Sequence, residues 1–351
     1  MKYFPTVVNI ETVNRYCDAR CPMCTIKFAP EFKNDSKDEN SHTGYSRVAE
    51  IMTLEKYKNI ASRFRPNIEK ITALNLHGCG EPLLDKTLPN KVSFSRDIGF
   101  GNIGFTSNCN LLGKDKCIDL LESGLNCLIP SIDGLSKEVQ EEIRPGTRFD
   151  KVYENVRYFI EYRDKHNFQC RVLPRMIRQE LNKGQWLDYE NYWNKLIDPS
   201  KGDKVLFMDI HNTGGRVPDF DKKKVDNYDE KIQNFNSNAP STKTTFIKQN
   251  LATTDSSSFV RVDEVEKAGM CPDLFARMLI FASGDVALCS ADQGGYYKIG
   301  NALEQDIEEI YNSEIFDSYR EKWLSNNYAE AKHCNQCTIT VSRLNKTYQS
   351  I

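Results

Sequence analysis

Cys17, Cys21 and Cys24 fall within the stretch Tyr16-Cys-Asp-Ala-Arg-Cys-Pro-Met-Cys24. Thiolates at this short, unequal spacing can turn inward on one soft-metal centre. Three sulfurs are one fewer than the four that hold a standard iron–sulfur cube, so a cube held here keeps one iron open to a ligand that is not protein. Zinc prefers four ligands, and the nearby histidine, His42, stands in a polar stretch. Buried structural thiols are the remaining alternative. The motif follows the apolar run Val7-Val8-Asn9-Ile10, as a loop after a first strand should.

A second constellation closes the chain. Cys271, Cys289, Cys334 and Cys337 place two thiols around a hairpin and two in a C-x2-C turn. Four thiolates make a closed site, and their chemistry alone allows zinc or a [4Fe–4S] cluster. Cys109, Cys117, Cys127 and Cys170 sit in or beside expected strands and helices, where free cysteine behaves as a small buried hydrophobe. Of these, Cys109 lies just past a strand's end and is the one placed to donate a hydrogen atom.

The first stretch resembles the C-x3-C-x2-C signature of the radical S-adenosylmethionine (SAM) superfamily. The resemblance implies that Cys17, Cys21 and Cys24 hold a [4Fe–4S] cluster whose open iron binds SAM, and that reduction yields a 5′-deoxyadenosyl radical. It places Met23 near the adenine. Gly80-Glu81-Pro82 is similar to the family's Gly-Gly-Glu-Pro segment, which receives the SAM ammonium; the departure is Cys79, where the family usually has glycine. A thiol there would donate a hydrogen atom or fill space. Ser107 and Asn108, Ser131 and Arg144 occupy positions where family members contact SAM, Arg144 as the partner of its carboxylate. For each, ordinary turn chemistry is the alternative. Residues around the second constellation resemble the SPASM/twitch group, and four cysteines match the short twitch form, in which all four bind one auxiliary [4Fe–4S] cluster. The arrangement is similar to that of the twitch-type 2-deoxy-scyllo-inosamine dehydrogenases.

Elements that alternate between strand and helix must position these residues. Apolar runs predict strands at 7–10, 71–76, 101–107, 125–131, 168–177 and 204–211, with helices at 54–64, 114–123, 150–162 and 186–196 between them. Such alternation predicts a parallel sheet with helical crossovers. The resemblance makes this a partial (β/α)6 TIM-like barrel over residues 1–215. Residues 216–265 are polar and without period, a linker or lid, in which Thr245-Phe-Ile-Lys248 could lie over the barrel mouth. A small C-terminal α+β twitch domain follows over 266–351, with a hairpin turning at Ser283-Gly-Asp285 and a helix over 307–324. The polar stretch 27–47 reads as a surface loop or a lid.

Composition excludes several classes. The chain has 351 residues, a net charge of −2 and 27% charged residues, so neither a nucleic-acid footprint nor a polybasic membrane surface is expected. No apolar run approaches a membrane span, and the N-terminus lacks the apolar core of a signal peptide. Twelve cysteines without a secretory signal fit a reducing, cytoplasmic setting with thiols used for metals. The expected function is hydrogen-atom abstraction leading to oxidation of a hydroxyl-bearing carbon in a sugar-like or aminocyclitol small molecule. His211 serves as the base, and a flavodoxin- or ferredoxin-type protein as the reductant. His77, Arg175 and Arg178 are further candidates at strand ends. The alternatives are a peptide epimerase, for which Cys79 or Cys109 becomes essential, or a cross-linking enzyme, either acting on a ribosomal precursor peptide, and a non-enzymatic metal scaffold. The peptide-recognition domain that precedes many such barrels is not expected, since the barrel starts within the first ten residues.

Overall fold

The computed structural model describes residues 3–24, 26, 47–211, 217, 219–225, 264–265, 270–325, 327, 330–331, 334 and 337. The polar stretch around 27–46 and nearly all of the proposed linker or lid, Thr245–Lys248 included, lie outside the described residues. So does His42.

The chain begins with β1 (Val7–Ile10), whose side chains are almost wholly buried. A short antiparallel pair follows, β2 (Val13–Asn14) with β3 (Glu50–Ile51). Helix α1 (Leu54–Ser62) starts where expected, with the Thr53 side chain accepting the Lys56 N–H at 3.2 Å. Then come β4 (Ala73–Asn75), α2 (Leu88–Ile98), β5 (Ile103–Ser107), α3 (Lys114–Glu122) and β6 (Cys127–Pro130). Gly124 ends the turn after α3 with φ +94°, a conformation open to glycine at no steric cost. Helices α4 (Lys137–Ile143) and α5 (Phe149–Lys165) lead on, and α5 buries Val152, Val156, Phe159 and Ile160 as its helical spacing predicts.

Each of β1, β4, β5 and β6 pairs in parallel with the next, the layout of a barrel wound by helical crossovers. The strand expected over 168–177 is in fact two. β7 (Arg171–Val172) pairs with β6, and β8 (Arg175–Arg178) pairs with β9 (Leu206–Asp209) beyond α6 (Trp186–Asn194). Pro174 lies at the break: it has no N–H to give a ladder, while its carbonyl accepts from Leu206 at 2.8 Å. An isolated parallel bridge, Ser131 to Arg175, carries the wall across. The architecture is α/β, a mostly parallel partial barrel.

The C-terminal segment continues the same sheet. β10 (Arg277–Ile280) pairs in parallel with β1 on the side away from β4, and β11 (Asp285–Ala287) and β12 (Lys298–Asn301) extend it antiparallel, giving the order β12-β11-β10-β1-β4-β5-β6-β7. The helix expected over 307–324 breaks into Ile307–Tyr311 and Glu314–Leu324. The cause is Asn312, which leaves the helix to bind the Tyr3 backbone, accepting its N–H at 2.6 Å and donating to its carbonyl at 2.9 Å. No helix among the described residues is long and apolar enough to cross a membrane.

One buried carboxylate ties β1 to the segments that follow its two neighbours, β4 and β10. Glu11, just past β1, forms an ion pair with Arg47 and accepts the backbone N–H groups of Cys79 at 2.7 Å and Ala282 at 3.0 Å. Removing one partner of such a pair leaves an uncompensated buried charge. Glu11→Ala is therefore expected to cost about 3–5 kcal/mol, read as a lower urea midpoint of unfolding in the full chain. A drop under about 1 kcal/mol would show that Arg47 and the two N–H groups find water or other partners.

Candidate active site

The mouth of the barrel holds a cavity of about 300 Å³. Cys17, Cys21, Met23 and Cys24 line it from the loop after β2, and Gly80 and Glu81 from the segment after β4. Ser107 and Asn108 reach it past β5, Ser131 past β6, Arg144 past α4 and His211 past β9. Residues drawn from six loops thus meet at the C-terminal ends of the strands, the face on which barrel enzymes carry chemistry.

Close backbone contacts hold the cysteine loop in place. The Cys24 N–H donates to the Cys21 carbonyl at 3.0 Å, Arg15 N–H to the Cys79 carbonyl at 2.7 Å, and Glu81 N–H to the Tyr16 carbonyl at 2.9 Å. A side chain on Gly80 would place its Cβ 2.4 Å from the Val13 oxygen, so the approach requires glycine there. Gly146, at φ +97°, meets the same loop from the other side, where a Cβ would sit 2.3 Å from the Asp18 oxygen. The Asp18 carboxylate accepts from the Asn108 and Asn110 side chains, both at 2.7 Å.

The donor set suits an iron–sulfur cube. Cys17 Sγ accepts from the Ala19 N–H at 3.4 Å and the Asn108 amide at 3.8 Å, and Cys21 Sγ from Arg144 at 3.6 Å. Donors aimed at sulfur stabilise a thiolate and tune a cluster. A structural zinc ion takes four protein ligands, whereas three thiolates can each hold a different iron of a cube and leave its fourth iron open. Burial pushes the Cys17 thiol up to about 12, so a metal must displace its proton on binding.

Glu81 lies 3% exposed and its carboxylate accepts three hydrogen bonds, from Ser107 Oγ at 2.7 Å, Asn108 N–H at 3.0 Å and Leu83 N–H at 3.1 Å. Burial raises it to about 7 against the pull of those donors. A cation beside it would favour the charged form, which is what a ligand ammonium supplies. Arg144 is turned toward Asp133, 2.7 Å away, as well as toward Cys21. Its planar fork is shared between the protein's own carboxylate and the cluster loop.

Other expectations change. Cys109 is fully buried in the apolar core with φ +59°, and its thiol donates to the Ser107 carbonyl at 3.7 Å. Cys109 does not line the cavity. Cys79 is 2% exposed and lies behind the wall, its thiol against that of Cys24 and beside Ile26. It fills space. His77 lines the cavity, but burial, with Arg175 and Arg277 nearby, lowers it to about 3, so it is neutral and carries no proton in exchange. Arg178 is spent on Asp209 at 2.7 Å.

Sequence reading missed Asn9, Asn75, Arg277, Ser290 and Gln293, all of which line the cavity. Alternation along β1 and β4 was the available signal for the two asparagines, whose side chains bond at 3.0 Å inside the barrel. Ser290 and Gln293 arrive from the C-terminal segment, directly after Cys289. There Cys289 lies within electrostatic reach of Cys271 and Cys337, and Cys334 of Cys337. The Cys337 N–H closes the C-x2-C turn on the Cys334 carbonyl at 3.1 Å. Asp273 accepts the Ser290 N–H at 2.8 Å, and Asp292 accepts the Tyr296 and Tyr297 N–H groups, which fixes the loop after Cys289.

Comparison with known proteins identifies two domains in the chain. Residues 12–174 match the radical SAM superfamily, and residues 271–338 match the SPASM iron–sulfur cluster-binding domain. No curated protein matches the chain in sequence. Among solved structures, BtrN in complex with AdoMet and 2-DOIA is 15% identical, with 96% of this chain and 94% of that one covered at a TM-score of 0.54. SuiB of Streptococcus suis, bound to the precursor peptide SuiA, is 19% identical, covering 90% and 67% at 0.61. Native anSMEcpe with bound AdoMet and Cp18Cys peptide is 14% identical, covering 99% and 91% at 0.57. At these identities the likeness establishes the fold. The chain is a radical SAM enzyme with a C-terminal SPASM-type domain, and its cofactors are SAM, a [4Fe–4S] cluster and a further iron–sulfur centre.

Proposed function

We propose that the enzyme oxidises a hydroxyl-bearing carbon of a sugar-like or aminocyclitol small molecule. One observation supports this above others: Ser290 and Gln293, immediately after the auxiliary ligand Cys289, share a cavity wall with Cys17, Cys21 and Cys24. A substrate in that cavity lies between both cysteine constellations. The net change is CH–OH to C=O, with loss of one hydrogen atom, one proton and one electron. When bound, SAM and its cluster supply the hydrogen-abstracting radical, and the C-terminal cluster supplies an acceptor for the electron.

The chain's own residues do the rest. Cys17, Cys21 and Cys24 are the ligands of the first cluster, and Cys271, Cys289, Cys334 and Cys337 those of the second. Glu81 takes the SAM ammonium, with Gly80 giving backbone access. Ser107, Asn108 and Ser131 orient the bound molecule, Met23 packs on its apolar part, and Arg144 steadies the carboxylate end. His211, on the wall past β9, receives the hydroxyl proton. The reductant is a flavodoxin- or ferredoxin-type protein.

Peptide modification is the second reading, favoured by the fold likeness to structures solved with peptides. Epimerisation requires a thiol hydrogen donor, and both Cys79 and Cys109 are behind the wall.

Iron, sulfide and zinc analysis of anaerobically reconstituted protein tests the electron acceptor. Roughly eight irons per chain, falling to about four in a Cys17→Ala/Cys21→Ala/Cys24→Ala variant, is the expected result. About four irons with one zinc would remove the acceptor and, with it, the oxidation reading. Gly80→Ala should likewise lose about four irons and keep the C-terminal cluster, because the new methyl group must displace the cysteine loop. Full iron content in that variant would mean the loop tolerates a shift at Val13.

A further inference from the structure

The guanidinium groups of Arg175 and Arg277 line the floor of the cavity. β8 begins at Arg175 and β10 at Arg277, and strand alternation sends both into the barrel with Ile177 and Leu279 two residues on. Residues at the start of a strand lie deeper than those at its C-terminal end, where the cysteines sit. The two arginines come from different walls, since β10 flanks β1 while β8 joins beyond β6. Both act on His77 at the end of β4. Around the same depth Cys127, Ile129, Leu173 and Leu206 form an apolar cluster, so charges here are less screened than in water.

The polar details favour an anion. Arg175 Nη2 donates to Ser131 Oγ at 2.7 Å, which orients the guanidinium. His77 Nδ1 accepts the Thr106 N–H at 3.3 Å, so the neutral ring keeps its proton on Nε2 as a donor. Glu81 is the one carboxylate among the described lining residues, and its oxygens already accept three donors.

We infer that this floor binds an oxyanion of the substrate, a carboxylate or a phosphate, between Arg175 and Arg277 with His77 Nε2–H as a third donor. Guanidinium forks match either group in bidentate fashion. The inference rests on the proposed function only in taking this cavity as the substrate site. It adds that the sugar-like substrate is an acid or a phosphate ester, which narrows the class.

The test is calorimetric binding of inorganic phosphate and of acetate to the reconstituted, SAM-loaded protein, so that the SAM carboxylate is already placed. Wild type should bind at least one of them, and Arg175→Gln/Arg277→Gln should weaken that binding at least tenfold. Arg96→Gln, on the exposed surface, should not. Binding of phosphate alone assigns a phosphate ester, and of acetate alone a carboxylate. An Arg175→Lys/Arg277→Lys variant guards against misfolding: iron content and SAM affinity stay at wild-type values while anion binding weakens, because lysine lacks the fork. No binding of either anion, or undiminished binding in both double variants, overturns the inference. Should anions bind as expected while the C-terminal site proves to hold zinc, the oxidation reading fails and the anion site stands.

Discussion

A buried carboxylate in four hydrogen bonds sets the relation between the two cysteine constellations. Taking Glu11 and Arg47 out of water costs several kcal/mol per ion, repaid only when every lone pair and N–H finds a partner. Here the partners are spread over the whole chain. Glu11 binds the backbone beside the Gly-Glu-Pro segment and the backbone that opens the β10–β11 hairpin, while Arg47 stacks 3.7 Å over Phe281 and donates to the Gln293 carbonyl at 2.8 Å. Moving any one of these elements strands a charge. The pair therefore acts on register more than on net stability, since an apolar pair of the same shape could serve stability as well.

The second constraint is closeness. The cysteine loop is pressed between the turns at Gly80 and Gly146, where backbones approach too near for any Cβ, while a Cβ on Gly78 would meet the Glu11 side chain. Within that clamp the Cys79 side chain packs against Cys17, Cys24 and Ile26. A thiol there costs little, as a small hydrophobe would. The family's usual glycine and this cysteine thus satisfy the same backbone requirement.

Much of the site was legible because its chemistry is local. Cluster ligation depends on residue type at short spacing, and Gly80-Glu81-Pro82 declares itself by its distance after that motif. The barrel was legible from apolar runs alternating with helical ones. Pro174 should have split the fifth strand, since it cannot donate to a ladder. The break at Asn312 was not readable, because its cause, the Tyr3 backbone, lies 309 residues away. Arg277 was hidden for the same reason: it reaches the cavity only through the parallel register Val7 to Arg277, which nothing near residue 277 encodes. The burial of Cys109 in the core was not readable from its position past a strand end, because that depends on packing from distant elements.

That long-range register also bears on function. Because β10 extends the barrel sheet, the loop after Cys289 is carried to the cavity by the sheet itself, and Asp273 and Asp292 then hold it through backbone N–H groups. A domain attached only by a linker would leave the distance between the two constellations free to vary. Here that distance is set by strand pairing, whose spacing is fixed to within fractions of an ångström. Electron transfer from a substrate carbon to a second cluster depends on that separation, and hydrogen return from a thiol depends still more closely on position, since it needs thiol and carbon in contact. The continuous sheet thus ties the loop after Cys289 to the cavity by backbone pairing, independently of any single side chain there.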